Sequence, residues 1–196
     1  MQSKKLQNYI IGEKQRSFKM SNYEEKEYKV FEMFKKQWGL VTAGDKEHFN
    51  SCTIGWGSLG TLWAKQNGGS VVTVFLHPAR YTTDVLLESE YFTVSFFPQE
   101  YRKALGVMGT ISGRDHDKVK ESELTPVQIG ESMTYEEAEL TFYCRKIYQH
   151  KMAKEDIAPE YQEMYASNPK VYPVDENGQW QPHWVFIGEI LETLEK

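Results

Sequence analysis

Most apolar residues of the chain fall in short blocks that alternate with polar ones, and a few recur at helical spacing. "YFTVSFF" (91–97) sets Phe92, Val94 and Phe96 against Thr93, Ser95 and Phe97, which predicts a strand with one apolar and one mixed face. "SVVTVFLH" (70–77) is rich in β-branched residues and reads as a second strand. "LVTAG" (40–44) and "HFNSCTI" (48–54) flank "GDKE", a hairpin signal. "EAELTFYCRKIYQHKM" (137–152) reads as a long strand. "HWVFIGEILETLEK" (183–196) reads as a closing strand with a bulge at Gly188. Val30, Phe31, Phe34 and Trp38 share a helical face, with Ser21 or Asn22 as cap. Further short helices are expected over 80–90, capped by Thr82 or Thr83, and over 98–109, closed by Gly106 or Gly109. Another is expected over 158–168, with Pro159 near its first turn. "TISGRDHDKVKESEL" (110–124) is polar and without period, hence a loop. Six or seven strands joined by tight turns and three or four short helices are no regular βαβ series. The pattern predicts a mainly β fold with short helices, a mostly antiparallel barrel.

The 196 residues suit one domain over 21–196, preceded by a polar, weakly patterned extension over 1–20, with Met20 as an alternative start. Aromatic residues make up 14%, which argues for a substantial core or a flat ligand site. A net charge of −5 with mixed signs argues against bulk nucleic-acid binding. There is no run of about 18 apolar residues to span a membrane, and no signal-peptide core at the N-terminus. The expected location is the cytoplasm. Cys52 and Cys144 are the only cysteines and read as separate thiols. His48, His77, His116, His150 and His183 are scattered without metal-ligand spacing, so no metal site is expected.

No GxGxxG, P-loop, HExxH or GxSxG motif is present. Instead, three polar segments carry chemistry. "HPARYT" ends at a helix start, where free N–H groups beside Arg80 and Thr82 suit a phosphate, or simply a capped helix. "SGRDHDK" adds Ser112, Gly113, Arg114 and Lys118, as an anion-binding loop or a charged surface loop. In "FNSCTIGWGSLGTLW" (49–63), Asn50, Cys52 and Ile54 face one way and Ser51 and Thr53 the other. Its hydroxyls and amide suit phosphate or polyol oxygens, and Gly55, Gly57 and Gly60 let a planar ring approach the backbone. The other reading is a glycine-rich barrel corner with Trp56 and Trp63 as core. Trp63 is expected in the core in either case.

Taken in order, "LVTAGD", "NSCTIGWGSLG", "HPARYT", "YFTVSFF", "ALGVMGTISGRDHDK", "EAELTFYCRK" and "IGEI" resemble the flavin reductase-like family, the flavoredoxin-type FMN-binding split-barrel proteins. The resemblance runs from about Leu40 to Ile190. It implies a split β-barrel homodimer with FMN held non-covalently near the subunit interface. Carried over by position, it implies that Asn50, Ser51, Cys52 and Thr53 line the flavin and that Trp56, Gly57 and Ser58 turn beside its ring. Arg80, Tyr81 and Thr82 would hold the phosphate, and Ser112, Gly113 and Lys118 would close over the cofactor. His183 is either a group near the flavin or nicotinamide or a surface histidine at a strand end. The implied activity is an NAD(P)H-dependent flavin reductase or oxidoreductase with NAD(P)H bound transiently; no catalytic residue is assigned. The alternatives are a small FMN electron carrier that docks a redox-partner protein, and a cofactor-free binding barrel.

Overall fold

The computed structural model describes residues 19–20, 22–65 and 68–196. Ten strands are formed among them: β1 (Lys19–Met20), β2 (Gly39–Gly44), β3 (Phe49–Ile54), β4 (Gly57–Lys65), β5 (Gly68–Leu76), β6 (Tyr91–Phe96), β7 (Pro126–Ile129), β8 (Ser132–Tyr135), β9 (Leu140–Lys151) and β10 (Trp184–Glu195). The α-helices are α1 (Val30–Glu32), α2 (Tyr81–Glu88), α3 (Arg102–Thr110), α4 (Lys118–Ser122) and α5 (Pro159–Ser167). The main sheet runs β3-β2-β6-β9-β10-β5-β4, and every pairing is antiparallel. β7 and β8 form a separate hairpin. Lys19 and Met20, at the end of the expected extension, pair with Glu195 and Leu194 of β10; residues 1–18 lie outside the described residues.

The predicted hairpin forms in register, from Gly39 opposite Ile54 to Gly44 opposite Phe49. Gly44 takes φ +95°, a conformation that costs a residue with Cβ far more. Asp45 Oδ1 accepts from the backbone N–H groups of Glu47 and His48, both at 2.9 Å, which fixes the turn. The bulge expected in β10 is also present. Its register against β9 shifts between Ile187 and Gly188 and again between Ile190 and Glu192. A Cβ on Gly188 would stand 2.5 Å from Phe92 Cζ and 2.7 Å from Cys144 Cβ, so only glycine lets the strands close there.

The core lies in two parts. Inside the barrel, Val41, Val72, Val74, Phe92, Val94, Phe96, Phe142 and Phe186 pack together. Beneath α3, Leu40, Phe97, Leu105, Met108 and Tyr135 form the second cluster. The mixed face of β6 is buried as well, because the β7–β8 hairpin covers it. Thr93 Oγ1 donates to the Met133 carbonyl at 2.6 Å, and Ser95, Thr134 and Thr141 join their hydroxyls at 2.9–3.0 Å. The polar half of the alternation therefore marks a satisfied hydroxyl network, not a solvent face.

Several local expectations change. The first helix is one α-turn that continues as a π-turn over Met33–Gln37. The wider turn sends adjacent Met33 and Phe34 inward and leaves Phe31 91% exposed. Its N-cap is Lys29; Asn22 precedes a separate 3-10 turn without a side-chain cap, and Ser21 lies outside the described residues. Arg80, not Thr82 or Thr83, occupies the N-cap of α2, because both threonine hydroxyls point elsewhere. Gly106 and Gly109 sit inside α3, which ends at Thr110 with Ile111 as its C-cap. A Cβ on Gly109 would come within 3.2 Å of Thr53, so this glycine serves close packing. Residues 118–122 of the expected loop form α4, capped by the Asp117 carboxylate accepting from the Lys120 N–H at 3.1 Å. "GSLG" opens a nine-residue strand, and Trp63 is 60% exposed at φ +51°, so it is not a core residue.

Candidate functional site

β3 is an edge strand, and both of its faces are engaged at the expected positions. Asn50 Nδ2 donates to Thr82 Oγ1 at 2.7 Å, and Cys52 lies beside the same hydroxyl. On the other face, Ser51 Oγ meets Thr42 Oγ1 at 2.8 Å and the Tyr135 hydroxyl at 2.7 Å, while Thr53 Oγ1 donates to the Leu105 carbonyl at 2.6 Å. Gly113 packs directly on the Asn50 amide, where a Cβ would collide with it. Lys118 Nζ donates to the Ser51 carbonyl at 2.6 Å from a buried position. The segments 50–53, 80–82 and 112–118 thus converge, although up to about 67 residues separate them in sequence.

A cavity of about 190 Å³ opens at this junction, lined by Cys52, Thr53, Ile54, Gly55, Trp56, Phe75, Leu76, His77, Arg80, Val171, Tyr172 and His183. Arg80 stands at the N-terminal end of α2, where unpaired amides carry partial positive charge. Arg80 and Lys118 are close enough that Arg80, after burial itself, helps hold the Lys118 amine below its ordinary range. Among the described residues neither cation has a carboxylate partner. Burial pushes the Cys52 thiol up, against weaker lowering by Thr82, Lys118 and Arg80, so Cys52 is a protonated lining group.

The far wall is aromatic. The Trp56 and His183 rings lie 4.4 Å apart at 37°, and the His77 and His183 rings are 5.2 Å apart, edge to face. His77 Nδ1 accepts from the Ala79 N–H at 3.2 Å, which leaves the ring proton on Nε2. Nε2 lies near the Gln181 carbonyl without reaching hydrogen-bond geometry. Burial and then Arg80 lower His77 to about 4. Burial, then His77 and Arg80, lower His183 to about 3. The Tyr165 hydroxyl, pushed up to about 12 by burial, meets His183 Nδ1 at 2.5 Å. A protonated phenol donating to Nδ1 leaves the neutral imidazole proton on Nε2. Tyr172 closes the mouth, 6.2 Å from Trp56 and 5.9 Å from His183 by ring centroids.

Of the expected site residues, Cys52, Thr53, Trp56 and Arg80 line this cavity, while Asn50, Ser51, Gly57, Ser58, Tyr81, Thr82, Ser112, Gly113 and Lys118 do not. Gly57 and Ser58 begin β4 and lead away; Gly57 makes room for the Phe34 ring, and Ser58 is exposed. Tyr81 faces the opposite side of α2, with its hydroxyl 3.0 Å from His48 Nε2 and Arg114 stacked 5.0 Å over its ring. Ser112 Oγ accepts from the Arg114 N–H at 3.2 Å, and Arg114 pairs with Asp84. His183 is buried, not a surface histidine. The histidines are not all scattered, since His77 and His183 meet. His77, Tyr165 and Tyr172 were missed; the signal for His77 was its place at the end of a β-branched strand, as the first residue of "HPARYT".

An open antiparallel barrel with Arg80 at one end of a cleft and an aromatic wall at the other has a split-barrel fold with a candidate ligand cavity. The flavin reductase like domain family matches residues 31–195, and the chain belongs to that family. Solved structures share the fold at low identity. An FMN-binding protein from Thermus thermophilus with bound 1-cyclohex-2-enone is 18% identical, with a TM-score of 0.58, covering 81% of this chain and 69% of its own. The flavoredoxin of Methanosarcina acetivorans is 18% identical at TM-score 0.58, covering 82% and 68%. An FMN-binding domain of a flavin reductases-like enzyme from Shewanella baltica OS155 is 13% identical at TM-score 0.60, covering 93% and 79%. No curated protein matches the sequence. Among the described residues no helix is long and apolar enough to cross a membrane.

Proposed function

We propose that the protein binds FMN non-covalently in the cavity at the end of β3 and acts as an NAD(P)H-dependent flavin oxidoreductase. The observation that carries this reading is Arg80 at the N-terminus of α2, with the buried Lys118 amine within its electrostatic reach and neither cation holding a carboxylate partner among the described residues. Burying such charge uncompensated is costly, and a phosphate dianion compensates it. In this reading the α2 amides, Arg80 and Lys118 hold the phosphate. The Asn50–Thr82 pair supplies polar contacts for the polyol chain, and Trp56 and His183 flank the ring. Neutral His77 and His183 offer N–H donors there without adding charge at pH 7. When bound, FMN supplies the electron-transfer chemistry, and the protein contributes binding, orientation and exclusion of water. The cavity, about 190 Å³, is smaller than the roughly 300–1,000 Å³ of usual small-molecule sites, so the Tyr172 segment that closes it would have to move aside for FMN to be held there.

We extend the reading to a homodimer with the flavin near the subunit boundary, in keeping with Trp56, 40% exposed at the cavity rim. The test is the visible spectrum of FMN-loaded protein under anaerobic conditions, before and after NADH or NADPH. Bleaching by either is the expected result. Protein that binds FMN yet stays oxidised with both overturns the reductase reading in favour of an electron carrier.

A further inference from the structure

Beside the cavity lies a second, larger space of about 620 Å³ between the ends of β5 and β9 and the start of α5. Trp56, Phe75, Met152, Ile157 and Tyr161 form most of its walls. Trp56 and Phe75 also line the β3 cavity, so the two spaces share a wall. Tyr165 joins them too, lining the groove while its hydroxyl reaches His183 in the cavity. We propose that this groove is a substrate site for an uncharged, planar aromatic molecule of the quinone class.

Three observations select that class. The volume falls within the range of small-molecule sites, which rules in a compact ligand. The lining offers aromatic faces and two methionine thioethers, Met152 and Met164, groups that pack on flat rings. Among the described residues that line it, Asp156 is the sole carboxylate and there is no cation. The basic residues nearest along the chain point elsewhere: Lys151 donates to Gln181 Oε1, and Lys154 is held 4.6 Å over the Trp180 ring. An anionic nucleotide would place its phosphates beside a carboxylate with no counter-charge, whereas an uncharged ring gives up only the hydration of its carbonyl oxygens. That the groove serves as a substrate site rests on the flavin reading; that it binds such a ring does not.

The test is calorimetric titration of the full chain with menadione, with and without FMN. Saturable binding of one menadione per chain is expected under both conditions. Ala158→Trp, at an exposed position on the groove, should weaken menadione at least tenfold and leave FMN binding unchanged. Tyr161→Ala removes a wall from the other side and should also weaken it. Non-saturable binding, equal binding by wild type and Ala158→Trp, or displacement of menadione by FMN overturns the proposal. So does wild type that binds no menadione while Ala158→Trp turns a dimer into a monomer, which makes a second copy the occupant. Loss of FMN binding alone, with menadione retained, counts against the flavin reading only.

Discussion

At the scale of single residues, the site is a set of side chains whose ordinary roles have been taken over by one another. Arg80 would ordinarily be a solvated cation and Lys118 an exposed one, yet they share a junction with Cys52 and Thr82. Replacing Arg80 by alanine should lower FMN affinity roughly ten- to a hundredfold, the effect of losing one charge-assisted contact of about 1.5–3 kcal/mol. Riboflavin, which lacks the phosphate, should change little; a fluorescence titration of both ligands compares them, and equal losses would make Arg80 structural. These polar residues were legible in the sequence because polar and glycine-rich types are out of place in a strand. Cys52 and Thr53 line the cavity, whereas Asn50 and Ser51 are held by other protein groups and Gly57, Ser58 and Tyr81 lie away from it. Sequence spacing cannot say which side of α2 a residue faces when the helix is capped by Arg80 rather than by the threonines that follow it. Nor does it show His77 and His183 meeting, since they are far apart in sequence and only the antiparallel register of Leu76 with Trp184 brings them to the same end of the paired strands.

At the scale of elements, β10 positions the site and depends on one glycine. Gly188→Val should destabilise the protein by about 1–3 kcal/mol through overpacking against Phe92 and Cys144. Urea denaturation would show this as a lower midpoint, and an unchanged midpoint would mean that the bulge has slack. The segment after α5 acts on the site from the other side. Tyr172→Ala should tighten FMN binding, because the tyrosine ring no longer has to leave the cavity mouth; weaker binding would make Tyr172 a wall of the occupied site. The strands with strong β-branched or alternating patterns, β2, β3, β5, β6, β9 and β10, were readable. The β7–β8 hairpin was not, because four-residue strands carry too little pattern. Its absence from the sequence reading is also why the polar face of β6 looked half exposed. β4 was hidden by its glycines, which serve packing against Phe34 at Gly57.

At the scale of the whole molecule, the buried histidines link stability to pH. His77 and His183 titrate at about 4 and about 3 in the folded protein, below their ordinary value of 6.5. As pH falls through 6.5 the unfolded chain takes up protons that the folded chain refuses, so stability declines from there to about pH 3–4. Above 6.5 both states are neutral and this contribution is flat. His183→Gln should lessen the acid slope of melting temperature against pH; an unaltered slope would place the titration elsewhere. The barrel class was legible because strand number, turn signals and the lack of a βαβ rhythm all agree. The central claim, that this barrel holds FMN by its phosphate, is tested most directly by titrating the purified protein with FMN and riboflavin and following flavin fluorescence. The account predicts saturation at one FMN per chain, with FMN bound at least tenfold more tightly than riboflavin. No saturable FMN binding, or equal affinity for the two, would contradict it.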